Sequence, residues 1–249
     1  MTRGETEGRR RCGIWEDLLA TGAGDWRELV ASQPDRPADW SRLARRGGFP
    51  TPALHLDDPV IRADWFDGYE RTYLERDLRA LARITALPQP TARRWLNLLE
   101  TSYLFVPVPA YSVKRTKRLM KPPKVFWCDG GLALHLSGGE PSGAHLENIV
   151  LSDLFAWRDA RPAGRGRAEV FHWRTTLGEE VDFVVEAGDR LLPIEVKATT
   201  TPRFRDAAGL RVFQAEYGEM ARPGLLLHGG AEVSWVAPDV LAAPWWRVL

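Results

Sequence analysis

Cysteine is nearly missing from this chain. Cys12 and Cys128 stand far apart, and neither has a Cys or His at metal-ligand spacing. That excludes a disulfide scaffold, argues against zinc, and fits a reducing, cytoplasmic setting. Long apolar runs are missing too. None reaches the roughly 18 residues of a membrane span, and Met1-Thr2-Arg3-Gly4-Glu5 has no signal-peptide core. Neither a membrane partner nor export is therefore expected. A charge excess is also absent: with a net charge of +1, the whole-molecule field identifies no anionic partner, and local clusters must be read instead.

What is present suffices for a core. The hydrophobic fraction is 44% of 249 residues, enough for one large domain or two small ones. The richness in arginine, alanine and glycine is that of a GC-rich bacterial genome. Residues 1–11 are polar and basic and read as a tail. Short helical patterns run through 14–46, broken by Pro34 and Pro37, and Gly47-Gly48-Phe49-Pro50 is a turn. Trp65, Tyr69, Tyr73, Leu74, Leu78 and Leu81 recur at helical spacing between Asp64 and Ile84. Thr91 can cap a further helix from Ala92 to Leu99. Phe105 to Tyr111 reads as an edge piece, and Val125-Phe126-Trp127 as a buried strand. A helix is expected from Gly143 to about Asp159, then strands near 170–173, 180–186 and 191–198. A helix over 205–217, a strand at 225–228 and a tryptophan-bearing tail follow.

Two of those strands carry the chemistry. Glu180 to Glu186 and Leu192 to Lys197 alternate apolar and polar residues, and Gly188-Asp189 between them is a hairpin signal. If that pair forms the loop, Asp182 faces Glu195 and Glu180 faces Lys197. Opposed carboxylates repel, and a divalent cation held between them is the sharpest explanation. Glu195 and Lys197 lie two apart and share a face, so Asp182, Glu195 and Lys197 are expected to converge on one face of the sheet. Glu147 lies among Val150, Leu151 and Leu154 on a helical stripe. A buried, unpaired carboxylate is costly, so Glu147 needs a partner, and a metal ion or Lys197 would serve. The plainer readings are a common surface Glu-x-Lys pair, a slipped register, and a Glu147 that reaches solvent. Glu180 reads as a surface residue paired with Lys197.

Glu147, Asp182 and Glu195-x-Lys197, on a helix-strand-strand-strand-helix-strand order, resemble the PD-(D/E)XK nuclease-like superfamily. More narrowly, several phrases resemble the C-terminal domain of unknown function carried by prokaryotic AAA-type ATPases. They include Gly47-Gly48-Phe49-Pro50, Tyr69-Glu70-Arg71-Thr72-Tyr73, Asp129-Gly130-Gly131-Leu132, Leu146-Glu147-Asn148, Glu180-Val181-Asp182-Phe183 and Ile194-Glu195-Val196-Lys197-Ala198. The resemblance runs from about residue 43 to the end. It implies that Asp182 and Glu195 bind Mg²⁺ or Mn²⁺ with Glu147 as an accessory ligand, and that Lys197 positions or activates the attacking water. The family's Gly-x-x-x-x-Gly-Lys-Ser/Thr loop is missing, so no ATP site and no ATP hydrolysis are expected. A separately encoded P-loop ATPase is then an implied partner. The family's winged-helix segment is also cut short, since Ile84 runs almost directly into Pro88, which weakens sequence-specific DNA reading.

Lys114, Arg115, Lys117, Arg118, Lys121 and Lys124 form a basic run without an acid. Beside a nuclease-like domain it reads as a phosphate-contacting wing for DNA; otherwise it is a solvated loop. Trp65, Trp95 and Trp127 read as core residues, and the histidines, among them His145 and His172, as structural or surface groups. The expected fold is α/β. A helical N-terminal part, residues 1–110, leads into a PD-(D/E)XK (restriction-endonuclease-like) α-β-β-β-α-β domain, residues 111–249. The expected function is a metal-dependent nuclease or nuclease-like module acting on DNA. The alternative is a non-catalytic DNA- or protein-binding regulatory module.

Overall fold

The computed structural model of the chain describes residues 1–9, 12–74, 94, 97–113 and 122–249. The N-terminal helices are α1 (Arg3–Thr6), α2 (Trp15–Ala20), α3 (Trp26–Ala31), α4 (Trp40–Arg46), α5 (Pro50–His55) and α6 (Pro59–Tyr69). They are followed by β1 (Phe105–Val108), β2 (Lys124–Trp127), α7 (Gly130–Ser137), α8 (Gly143–Ala160), β3 (Ala168–Arg174), β4 (Glu180–Ala187) and β5 (Arg190–Lys197). Last come α9 (Ala208–Tyr217), β6 (Gly224–His228), β7 (Ser234–Ala237), β8 (Val240–Pro244) and α10 (Trp245–Val248). The fold is mixed α/β. Its main sheet has six strands in the order β3-β4-β5-β6-β8-β7. β3, β4 and β5 are antiparallel neighbours, β5, β6 and β8 are parallel, and β7 runs antiparallel to β8.

The sheet is covered on both sides, which explains why β4 and β5 are buried on both faces and not half-buried, as their alternation suggests. On one side Leu146, Val150 and Leu154 of α8 meet Phe183, Ile194 and Leu225, together with Trp15, Trp26 and Trp245. On the other, Leu210 and Phe213 of α9 meet Val184, Leu226 and Ala242. The expected tail at 1–11 is corrected over residues 1–9, and residues 10 and 11 lie outside the described residues. Arg3 is buried, and its guanidinium donates to the carbonyls of Trp246 and Arg36. Asp153 of α8 fixes the next segment, because its Oδ1 accepts the Gly13 N–H and the Trp15 indole N–H, each at 2.7 Å.

α8 starts at Ser142, whose backbone N–H donates to His145 Nδ1 at 3.0 Å, so His145 serves as a cap. α7 has two glycines in its first turn, residues of low helix propensity. Asp129 starts it by accepting the Leu132 N–H at 2.8 Å, and the same carboxylate accepts the Gly48 N–H. Gly47, with φ of 72°, closes α4, and a Cβ on Gly131 would stand 2.7 Å from the Gly47 Cα. The phrases Gly47-Gly48 and Asp129-Gly130-Gly131 thus meet in space because neither backbone leaves room for a side chain. β1 and β2 form a separate two-stranded sheet. Of the expected buried strand at 125–127, Phe126 is buried, whereas Val125 faces solvent.

Candidate functional site

The β4–β5 hairpin has the expected register. Ala187 faces Arg190, and the ladder runs up to Phe183 opposite Ile194. It stops there. The next N–H, that of Val196, is taken by a side chain, the Oδ2 of Asp182, at 3.0 Å. Leu192, Ile194 and Val196 join the core under α8, so Glu195 and Lys197 leave β5 on the opposite side. On β4, Phe183 joins the α8 side, while Val181 joins the α9 side. That break in alternation matches the register shift between Phe171 and Trp173 on β3, a bulge that turns Asp182 toward α8. The expectation of one shared face is corrected accordingly. Asp182 and Glu195 leave their strands on different sides and approach each other where the ladder ends.

Asp182 meets Lys124. The ammonium lies 2.8 Å from Asp182 Oδ1 and 2.7 Å from Glu147 Oε2, so it bridges the two acids. β2 brings it there, since Phe126 two residues on packs against Phe183 with ring centroids 5.6 Å apart. Glu147 therefore has its required partner, and that partner is Lys124, not Lys197. Lys124, expected as part of the phosphate-contacting run, is instead committed to the acidic cluster. Burial works against its charge, but Asp182 and then Glu147 outweigh burial, and its pKa is raised. Burial, with Asp182 next, raises the pKa of Glu147, and Lys124 opposes both.

Glu195 is 5% exposed, and its Oε2 has no hydrogen-bond partner among the described residues. Burial, followed by the charge of Asp182, pushes its carboxyl up to about 8. Lys197 Nζ lies 2.5 Å from Glu195 Oε1 and offsets part of this cost. The Lys197 side chain is 40% exposed, so its ammonium links the buried carboxylate to solvent. Burial lowers its pKa, but Glu195 reverses the shift, and the net direction is upward. Glu180 does not pair with Lys197. Its carboxylate lies 3.8 Å from the Arg174 guanidinium.

Glu147, Asp182 and Glu195 offer carboxylate oxygens, the donor type of a hard cation, but their ligand atoms do not all lie within 4.8 Å of one another. Asp67, Glu70 and His135 form a second group that sequence reading passed over. Among the described residues, theirs are the ligand atoms that all lie within 4.8 Å of one another. Asp67 and Glu70 stand one helical turn apart and clasp one imidazole nitrogen of His135, at 3.1 and 3.5 Å. The Asp-x-x-Glu spacing was the available signal.

Lys114, Arg115, Lys117, Arg118, Lys121 and Trp95 lie outside the described residues. β1 and β2 flank the basic run. Trp65 and Trp127 pack in an aromatic cluster with Phe49, Tyr69 and Phe105, in keeping with core roles. The His172 ring sits 3.3 Å from the Pro122 carbonyl.

A family model described as a domain of unknown function (DUF4143) matches residues 142–247, which hold Glu147, Asp182, Glu195 and Lys197. A second, described as a domain of unknown function (DUF8612), matches residues 80–143, which hold Lys124. The chain is 29% identical over 199 residues to uncharacterized proteins of the bacteria Mycobacterium bovis and Mycobacterium tuberculosis, covering 65% of this chain and 43% of each relative. It is 29% identical over 108 residues to an uncharacterized protein of Haemophilus influenzae, covering 43% of this chain and 24% of the relative. The chain thus spans less than half the length of these curated relatives. No solved structure matches it. No described helix is long and apolar enough to cross a membrane.

Proposed function

We propose that the chain is a metal-dependent, PD-(D/E)XK-like nuclease module acting on DNA, related to the C-terminal part of prokaryotic AAA-type ATPases and without an ATP site of its own. The observation that carries this reading is Glu195. A buried carboxyl with an unpartnered oxygen, held up near 8 beside a second carboxylate, is costly to keep without a ligand. Asp182 and Glu195 would hold Mg²⁺ or Mn²⁺, with Glu147 as accessory. Such a cation supplies a lowered pKa to water and stabilises charge on phosphoryl oxygens.

The chain's own residues do the rest. The Val196 N–H fixes the Asp182 carboxylate from behind. Lys197, anchored on Glu195 and half open to solvent, presents positive charge and N–H donors to a phosphodiester and its attacking water. Lys124 offsets part of the negative charge of Glu147 and Asp182. The test is incubation of the full chain with plasmid and single-stranded DNA in Mn²⁺. Cleavage that disappears in Lys197→Ala supports the reading, and intact DNA at high protein overturns hydrolysis.

A second reading is a non-catalytic DNA- or protein-binding regulatory module. Lys124 favours it, because an ammonium seated between two carboxylates already supplies the compensation a cation would give. Salt-sensitive DNA binding that is indifferent to Mn²⁺ is the outcome it expects.

A further inference from the structure

A cavity of about 750 Å³ opens among α4, α6 and α7, away from the acidic cluster. Among the described residues, its lining includes Arg42, Arg45, Arg46 and Arg62 with Asp57 and His135, the latter backed by Asp67 and Glu70. Arg45 has its own acid, Glu140. The other three close no ion pair with a described residue, although Asp39 acts on Arg42 and Asp57 and Asp58 act on Arg62. Arg46 donates to the Ala53 carbonyl. Arg62 donates to the Leu56 carbonyl at 2.7 and 3.1 Å and to the Asp57 carbonyl at 3.0 Å. Carbonyl groups hold these side chains in place without cancelling their charge. Arg42, at the exposed rim, donates its backbone N–H to the Asp39 carboxylate, whose charge acts on it, and its guanidinium forms no hydrogen bond or ion pair with a described residue.

Like charges gathered in this way repel. Arg62 registers it, since burial, then Arg46 and further on Arg42, lower its pKa against the opposing charges of Asp57 and Asp58. An anion seated among the guanidiniums would relieve the repulsion. Their planar forks match phosphate oxygens two at a time. The volume lies within the roughly 300–1,000 Å³ of ligand sites, and Phe66 and Leu134 give the cavity an apolar floor. We propose that this cavity binds a phosphate-bearing anion through Arg42, Arg46 and Arg62. A free oligophosphate and a nucleic-acid phosphate share that chemistry.

The experiment titrates the full chain calorimetrically with inorganic pyrophosphate and, separately, with a 5′-phosphorylated single-stranded oligonucleotide at fixed ionic strength. Arg42→Gln is the variant, because the Arg42 side chain is exposed, its hydrogen bond to Asp39 is made by the backbone, and glutamine adds no charge beside Asp39. At least one probe should bind the native protein, with affinity at least tenfold weaker in Arg42→Gln and a nearly unchanged melting temperature. The tighter probe identifies the source of the phosphate. Failure of both probes to bind at millimolar concentration, or equal binding by native and variant protein, overturns the proposal. Arg42 is no part of the carboxylate site, so the two readings fail separately.

Discussion

The Lys124 ammonium stands 2.8 Å from Asp182 Oδ1, although 58 positions separate the two residues. A lysine from a small accessory sheet thus reaches into the acidic cluster of the main one. It makes the local charge balance: Glu147 and Asp182 share one cation, and Glu195 shares another, Lys197.

Removing Lys124 leaves two partly buried carboxylates uncompensated. Lys124→Met should cost about 1–3 kcal/mol in chelator, below the usual value for a buried pair because about a third of the side chain is solvated. Millimolar Mn²⁺ should restore most of that loss by binding the folded state. Urea denaturation with and without Mn²⁺ measures both effects, and a loss that Mn²⁺ leaves untouched speaks against a cation among these carboxylates.

Glu195 makes stability pH-dependent in a stated direction. Its folded pKa of about 8 lies above the roughly 4.3 of an unfolded glutamate. Between those values the folded chain holds a proton that the unfolded chain has lost, so this group's contribution weakens as pH rises from about 4 to about 8, and then levels off. Glu195→Gln has no such proton to lose. Relative to the native chain in chelator, it should be nearly neutral at about pH 5 and more stable by about 2–4 kcal/mol at about pH 9. A difference that does not vary with pH contradicts the assignment.

The hairpin was legible because Gly188-Asp189 leaves little choice of loop, and its register follows through to Phe183 and Ile194. The bulge beside Asp182 was not, because it depends on β3, whose pairing no local pattern reveals. Lys124 was misread for a related reason. In sequence it ends a basic run, and only the packing of Phe126 on Phe183 draws it to the acids. Strands β7 and β8 read as a tail, since Trp235 and Trp245–Trp246 mask short strands that alternate poorly. α7 was hidden by Gly130-Gly131, which are helical there because Asp129 caps them and α4 packs against them. Arg42, Arg46 and Arg62 gather from two helices, a contact that sequence spacing does not carry.

DNA affinity should depend on the basic run. If Lys114, Arg115, Lys117 and Arg118 contact phosphates, replacing all four with Ala should reduce the salt slope of binding by up to about 3–4, with little effect on thermal stability. Fluorescence anisotropy across a salt series reads the slope, and an unchanged slope removes these residues from the DNA interface.

The central claim is that Asp182 and Glu195 form a cation site in which Lys197 is not a ligand. Calorimetric titration of Mn²⁺ into the full chain tests it most directly. One ion should bind per chain, Asp182→Asn and Glu195→Gln should each abolish binding, and Lys197→Ala should leave it intact. No heat of binding at millimolar Mn²⁺, or binding that survives both carboxylate substitutions, contradicts the claim.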